Sequence, residues 1–390
     1  MMKQDYEVIV VGAGPSGAIT AALLTRYGHD VLLLDKQSFP RNKVCGDAIT
    51  SRVIDILNFA GMKDKVKQAI ARGEFYPLTH MSLISPKGRQ LILPLEKSEN
   101  GFTSYIAPRF YFDVLIQQLA VEEGADFFQL KVEKPLIEKE RVVGVISKNN
   151  STSLKIGAKV VVGADGVSSV ITRVLRSKIR HIDKHRALAL RAYVEGIEIV
   201  PHQFDLYLYQ NILPGYAWIF PMGENRANIG LGMRLDYYRK TGGKLKRMLE
   251  EFLSMPAVGK RLKQGWKLHN IASWPLNFGS QKHLQYVFNG AILVGDAAGF
   301  VNPLTGGVIH RSLISGQLAA EVIHEALQRG NISKTGLQQY EKLCHEHLLG
   351  ELRRSYYLQN VLLHFPYLID FLVFCGKGNS MIAKALSKNL

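Results

Sequence analysis

The chain is poor in cysteine. Three residues, Cys45, Cys344 and Cys375, are spread over 390 positions, which excludes a disulfide framework and offers no spacing for a zinc site. Such usage suits a reducing compartment. Acidic residues are also short, 33 Asp and Glu against 49 Lys and Arg, for a formal charge of +16. The excess points to an anionic partner such as phospholipid headgroups, a phosphorylated substrate, an acidic electron donor or nucleic acid, or is a solubilising surplus. Long apolar runs are missing. The nearest, "VLLHFPYLIDFLVFC" (361 to 375), is broken by His364, Pro366 and Asp370 and falls short of the ~20 residues of a spanning helix. It reads either as a core helix or as an amphipathic patch resting on a bilayer. The opening "MMKQDYEVIVVGAG" leaves no room for a signal peptide, so a cytoplasmic protein is expected, with the inner face of the membrane as its place if it is peripheral. No repeat, low-complexity tract or Gly/Ser linker occurs.

The rest is a folded chain of 47% hydrophobic and 21% charged residues, long enough for two domains. "YEVIVV" (6 to 11), "SGAITAALLTRYG" (16 to 28) and "DVLLLD" (30 to 35) form a βαβ unit. Further apolar strands lie in 141 to 166 and in "GAILVGDAAG" (290 to 299), ahead of the helical "SLISGQLAAEVIHEAL". Strands from both ends of the chain with glycine turns after them imply an α/β fold with a central parallel sheet. Between them, 186 to 284 alternates and carries aromatics, as half-buried antiparallel strands do. The expected division is therefore 1–75, 105–185 and 285–330 for a discontinuous nucleotide-binding domain, 76–104 and 186–284 for an antiparallel-sheet substrate domain, and 331–390 for a helical tail.

"GAGPSG" places Gly12, Gly14 and Gly17 in G-x-G-x-x-G spacing between a strand and a helix. Gly12 permits the turn, Gly14 admits a pyrophosphate, Gly17 allows close helix packing, and the helix N–H groups, with Pro15 and Ser16 in the first turn, face the phosphate. The second strand ends in Asp35, followed by Lys36. A carboxylate there binds ribose hydroxyls and disfavours a 2′-phosphate, which selects FAD or NAD over NADP. "VVVGADGVSSVITR" (160 to 173) and "AILVGDAAGFVNPLTGG" (291 to 307) each set an Asp, Asp165 and Asp296, after a strand and beside small residues. Such an Asp can accept hydrogen bonds from a cofactor sugar or ribityl chain.

With these three ordered motifs, residues 5 to 330 resemble the FAD-dependent family of p-hydroxybenzoate hydroxylase type, which includes geranylgeranyl reductases and flavin-dependent halogenases. The resemblance implies a Rossmann-like FAD-binding domain and carries roles to matching positions. Gly12, Gly14, Gly17 and Asp35 match the ADP-binding part, and Arg109 in "APRFYFDVLI" matches an arginine that approaches the flavin's phosphates. Arg109 is alternatively an i,i+4 partner of Asp113. Asp165 matches an Asp-Gly motif. Gly295 and Asp296 match the turn that holds the ribityl chain, and Gly306, Gly307 and Val308 match the turn that sets a helix N-terminus against the flavin pyrimidine.

"FPRNKVCGDAIT" (39 to 50) resembles the reductase segment in which a Cys-Gly pair, here Cys45 and Gly46, lies by the flavin ring. Cys45 touches substrate or tunes the flavin on this reading, or is simply a buried thiol. Arg41 and Lys43 meet phosphate or form a solvated face. "PGYAWIFPMGENRANIGLGM" (214 to 233) resembles the reductases' substrate-domain motif. Side chains two apart share one face of a strand, so Tyr216, Trp218 and Phe220 form an aromatic row, which either lines a cavity for a polyprenyl chain or fills an ordinary sheet core. The halogenase motif Trp-x-Trp-x-Ile-Pro is close, but Tyr216 and Phe220-Pro221 follow the reductase form. Val308 departs from the small residue that reductases carry, narrowing the approach to the ring. His310 is a candidate proton donor, or else a helix-capping or exposed histidine. The resemblance thus implies an FAD-dependent reductase of isoprenoid double bonds on a lipid, quinone or diphosphate, fed by NAD(P)H or a ferredoxin-type donor protein; the basic surface and the apolar segment 361 to 375 fit work at an anionic membrane, and no nucleic acid is expected. The alternatives are an oxygen-using monooxygenase or halogenase, and a non-enzymatic prenyl-lipid binder.

Overall fold

A computed structural model describes residues 2–98, 101–149 and 152–378. The fold is mixed α/β. Five strands run parallel in the order Ala291–Leu293, Thr152–Gly163, Asp5–Val11, Val31–Asp35 and Asp126–Gln129. At the centre of the sheet, residues 8–11, Val31–Asp35, residues 160–163 and Ala291–Leu293 are buried without interruption, as expected where both faces are covered, whereas the edge strand Asp126–Gln129 is half-buried to exposed. The chain winds outward from Asp5–Val11 in one direction and later resumes on its other flank with Thr152–Gly163. That reversal opens a crevice at the carboxyl ends of these two strands, where ligands bind in open α/β sheets.

The helix Pro15–Arg26 leaves this crevice and is apolar on all sides, with Pro15 through Leu24 buried. Helices Arg109–Glu122 and Ile309–Gln328 pack against it. A helix without a polar face needs such cover on every side.

A second sheet of seven strands has the order Leu262–Asn277, Arg186–Ile197, Arg226–Arg234, Tyr216–Pro221, Gln203–Tyr207, His80–Ile84 and Gln90–Pro94. It departs from the antiparallel expectation at one pair, because Gln203–Tyr207 runs parallel to His80–Ile84. These two strands come from segments separated by the nucleotide-binding part, so no hairpin constrains their direction. A small sheet of Ala48–Ile49, Ser104–Ile106 and Tyr76–Leu78 joins the two halves. From 331 to 378 the described residues are mainly helical, with Gly350–His364 and Tyr367–Gly378 as the last two helices, and the remainder of the expected helical tail lies outside the described residues.

Candidate active site

Gly12 shows why the loop must be glycine. Its φ is +103°, and a Cβ there would stand 2.3 Å from the carbonyl oxygen of Ala164, so the two strands at the crevice could not approach. At Gly14 the only near atom is Arg41 Nη2, 3.6 Å from a Cβ position, which leaves the loop accessible from that side. Gly14 N-caps the helix with no side-chain bond to its first N–H groups. Uncapped donors at a positive helix end suit an anion.

Asp35 lies where ribose recognition requires it, but part of its carboxylate is engaged. One oxygen accepts the Ala13 amide at 3.0 Å and the other the Gln37 amide at 2.9 Å, bracing the glycine loop. Lys36 is exposed. Arg41 is no solvated face, for it is buried. Its guanidinium stacks on Phe39, sits 3.0 Å from Asp113, and leaves Nε buried without a partner. Arg109 also forks onto Asp113, at 2.5 and 2.8 Å. The i,i+4 alternative is therefore real, yet this pair is buried and shared between two arginines, so it forms a cationic wall beside Gly14 rather than a surface ion pair.

Asp296 pairs with Lys43 at 3.6 Å, and its other oxygen is buried without a partner. The Lys43 ammonium also stands 4.9 Å over the Trp274 ring; burial lowers its pKa. An orphaned buried acceptor costs free energy unless a ligand satisfies it. Together with the open Gly14, the orphaned Arg41 Nε and the uncapped helix, it fits FAD, with Asp296 toward the ribityl hydroxyls and Arg41 toward phosphate.

Asp165 is engaged by its own turn. Its carboxylate accepts the Ser169 hydroxyl and, at 2.6 Å, the Val170 amide, so it shapes the turn that abuts Gly12. In the loop after Asp296, Asn302 accepts the amides of Leu304 and Thr305 at 2.8 and 3.1 Å, and the Tyr216 hydroxyl donates to the Thr305 carbonyl. Gly306 and Gly307 complete this turn before the helix Ile309–Gln328. Val308 packs against the cluster of Ala187, Phe278 and Val301; the branched side chain fills that cluster. His310 is half-buried, and burial with Arg311 and Arg52 nearby pushes its imidazole down to about 4. It is neutral at physiological pH, which excludes imidazolium as its resting form.

The aromatic row exists as a unit. Ring centroids of Tyr216 and Trp218 are 5.9 Å apart, and those of Trp218 and Phe220 5.8 Å. A Cβ on Gly230 would lie 2.3 Å from the Trp218 ring, and one on Gly46 3.0 Å from Phe220. The indole therefore lies flat across the neighbouring strand, and the Cys45-Gly46 turn closes on the row. Trp218 and Phe220 are buried with Leu78 and Ile106. Burial raises the pKa of Cys45, with Arg109 opposing, so it stays a thiol at neutral pH.

The composition and motifs missed what holds this turn. Asn228 accepts from Trp218 Nε1 at 2.9 Å and donates to the Cys45 carbonyl at 2.9 Å and to Asp47 at 2.8 Å. Asp47, fully buried at a φ of +65°, also accepts the Tyr193 hydroxyl at 2.8 Å. Desolvation pushes its carboxyl up to about 6. Buried Arg191 holds the preceding residues through Asn42 at 2.9 Å and the Lys43 carbonyl at 3.2 Å. The adjacent Cys-Gly-Asp was the only sequence hint.

Among the described residues, cavities also lie away from this row. One, of about 410 Å³, sits in the second sheet between Ile84, Tyr209, Met255 and Arg261. Another, of about 370 Å³, borders the turn after Asp296 and is lined by Ser169, Thr172, Arg173, Arg176, His181 and His185 among others, with no carboxylate. Arg176 is buried there with one Nη unpaired.

Fold and site together define an FAD-dependent oxidoreductase. Residues 5–349 match the family described as FAD binding domain. The digeranylgeranylglycerophospholipid reductase of Methanocella arvoryzae is 30% identical over 93% of this chain and 88% of its own length, and that of Thermoplasma acidophilum 28% identical over 88% and 84%. A solved geranylgeranyl bacteriochlorophyll reductase-like protein from Thermoplasma acidophilum superposes with a TM-score of 0.83 at 28% identity, covering 95% of this chain and 91% of that one. A flavin-dependent brominase, at TM-score 0.78 and 19% identity over 98% of this chain and 93% of that one, shares the fold. The chain belongs to the geranylgeranyl reductase family of FAD-binding proteins.

Proposed function

We propose that the protein saturates isoprenoid double bonds of a geranylgeranyl-type chain carried by a lipid, quinone or diphosphate. The observation that carries this reading is the aromatic row Tyr216–Trp218–Phe220 closed by Cys45-Gly46, an uncharged wall beside the residues that fit FAD. Bound FAD, once reduced, supplies the hydride for one alkene carbon. The chain's own residues orient the alkene and provide the proton for the other carbon. The Cys45 thiol is protonated and lies beside Arg109, so its S–H can break as the new C–H forms, with the guanidinium stabilising the thiolate until water reprotonates it. His310 contributes at most a neutral N–H.

For the electron donor, the carboxylate-free cavity at Arg173 and Arg176 supports NAD(P)H, whose phosphates suit paired guanidiniums. A ferredoxin-type protein is the competing donor. The reading puts the protein at the cytoplasmic face of a membrane, where its lipid substrate resides.

The test is lipid mass spectrometry of cells with and without the protein, supported by anaerobic turnover of a geranylgeranyl lipid in vitro. The expected result is a mass gain of one H₂ per saturated bond. No gain in any prenyl species sinks the proposal, and an absolute need for O₂ would favour a monooxygenase or halogenase instead.

A further inference from the structure

The last described helix, Tyr367–Gly378, divides its faces in an instructive way. Ile369 and Val373 are buried, Val373 against Met81, Leu83, Leu91 and Leu93 of the strands His80–Ile84 and Gln90–Pro94. Tyr367, Phe371 and Phe374, at i, i+4 and i+7, are 62%, 59% and 61% exposed. These positions form one stripe. Phe365 in the preceding turn and Tyr357 on the preceding helix are exposed as well. The stripe is not a loose end. Asp370, buried beneath it, accepts the Ser85 hydroxyl at 2.5 Å and the Lys87 amide at 3.1 Å.

Exposed aromatics this close together mark a surface that is covered in use. The charge around them selects the cover. Lys87, Arg89 and Lys377 are all exposed here, and the Arg89 guanidinium lies 5.4 Å from the Phe374 ring centre. The whole chain carries +16, which opposes a second copy of itself and favours an anionic surface. Aromatic rings ringed by Lys and Arg are the interfacial arrangement of a helix lying in the headgroup layer. Spanning is a different matter, since no single described helix is long and apolar enough, and the last two long helical segments meet at 104°.

We propose that the stripe Tyr367–Phe371–Phe374 docks the protein onto an anionic phospholipid bilayer, inserting its rings at headgroup depth. The docking helix is coupled to the site. Gln359, buried on the helix before it, donates to the carbonyls of Pro214 at 3.1 Å and Pro303 at 2.5 Å, the residues that introduce the aromatic strand and the Thr305 loop. The bilayer would thereby hold the row at a set orientation to the lipid that delivers the chain. This purpose rests on the reductase reading, but the docking itself is measured without substrate.

The experiment is co-sedimentation of the full-length holoprotein with vesicles of phosphatidylcholine alone or with about a quarter phosphatidylglycerol. The wild type is expected to pellet with the anionic vesicles and to be released by salt. Phe371→Asp with Phe374→Asp should cut the bound fraction about tenfold while FAD absorbance, melting temperature and turnover of a short soluble prenyl substrate stay unchanged. Wild-type protein that remains in the supernatant overturns the proposal, as does undiminished binding of the double variant. A concentration-dependent dimer abolished by the same substitutions would also overturn it, giving the stripe to a second copy.

Discussion

Asp47 and Asn228 carry consequences that titration and substitution can read. Burial pushes the Asp47 carboxyl from 3.8 up to about 6, so between those values the folded chain holds a proton that the unfolded chain has lost. Its ionisation penalty is absent below this window and fully present above it, about 3 kcal/mol for two pKa units at a fully buried site. Asp47→Asn, which cannot ionise, should therefore gain melting temperature relative to wild type as pH rises from about 4 to 7; a gap that does not change with pH would move the titration elsewhere. Asn228→Ala strands the Trp218 N–H and one Asp47 contact together and should cost about 1–3 kcal/mol. Its effect on turnover should fall on KM for long prenyl substrates, with FAD content unchanged by absorbance. Cys45→Ala, by contrast, should lower kcat with KM and flavin content preserved; unaltered kcat would remove the thiol from the reaction. How well these residues could be foreseen follows from distance along the chain. The Cys-Gly pair and the aromatic row are local patterns, whereas the bond from Asn228 to Asp47 spans 181 positions, and nothing in either segment announces the other. The bonds of Asp165 to Ser169 and Val170 are equally hidden, since an Asp-Gly after a strand looks the same whether or not its carboxylate also braces its own turn.

At the level of strands and helices, the two glycines of "NIGLGM" make a matched test. A methyl on Gly230 meets the Leu190 carbonyl and the Trp218 ring at 2.3 Å, whereas on Gly232 the nearest atom is 3.5 Å away. Gly230→Ala should cost about 1–3 kcal/mol by overpacking and displace the indole, visible in tryptophan fluorescence; Gly232→Ala should melt like wild type. Equal effects would show that the row does not depend on close strand contact. Glycine loops, strand ends and alternating patterns are short-range signals, so these elements were legible. The parallel pairing of Gln203–Tyr207 with His80–Ile84 was not, because strand direction is decided by how distant segments return to the sheet. The packing of Val308 on Ala187, Phe278 and Val301 is likewise a long-range contact that its own segment does not announce.

For the whole molecule, the donor question turns on the basic cavity. Arg173→Glu sits at its exposed rim and should raise KM for NAD(P)H about tenfold or more through the reversed charge, with flavin content and reduction by dithionite unaffected. Unchanged NAD(P)H kinetics would shift the assignment to a protein donor. The excess of +16 points to anionic partners without locating them, since charge count carries no position; the fold sets the cavity lined by Arg173 and Arg176 apart from the exposed aromatic stripe of Tyr367, Phe371 and Phe374.

The reversal in strand order also has a consequence for biosynthesis. The glycine loop leaves the ribosome early, but Thr152–Gly163, which pairs with the strand before it, and Ala291–Leu293, which pairs with Thr152–Gly163 in turn, follow only after long intervening stretches. Asp296 lies just beyond the last of them. A nascent chain therefore cannot capture its flavin while most of it is still being made, and a fragment ending at residue 285 should emerge colourless. Loading waits for the chain to come home.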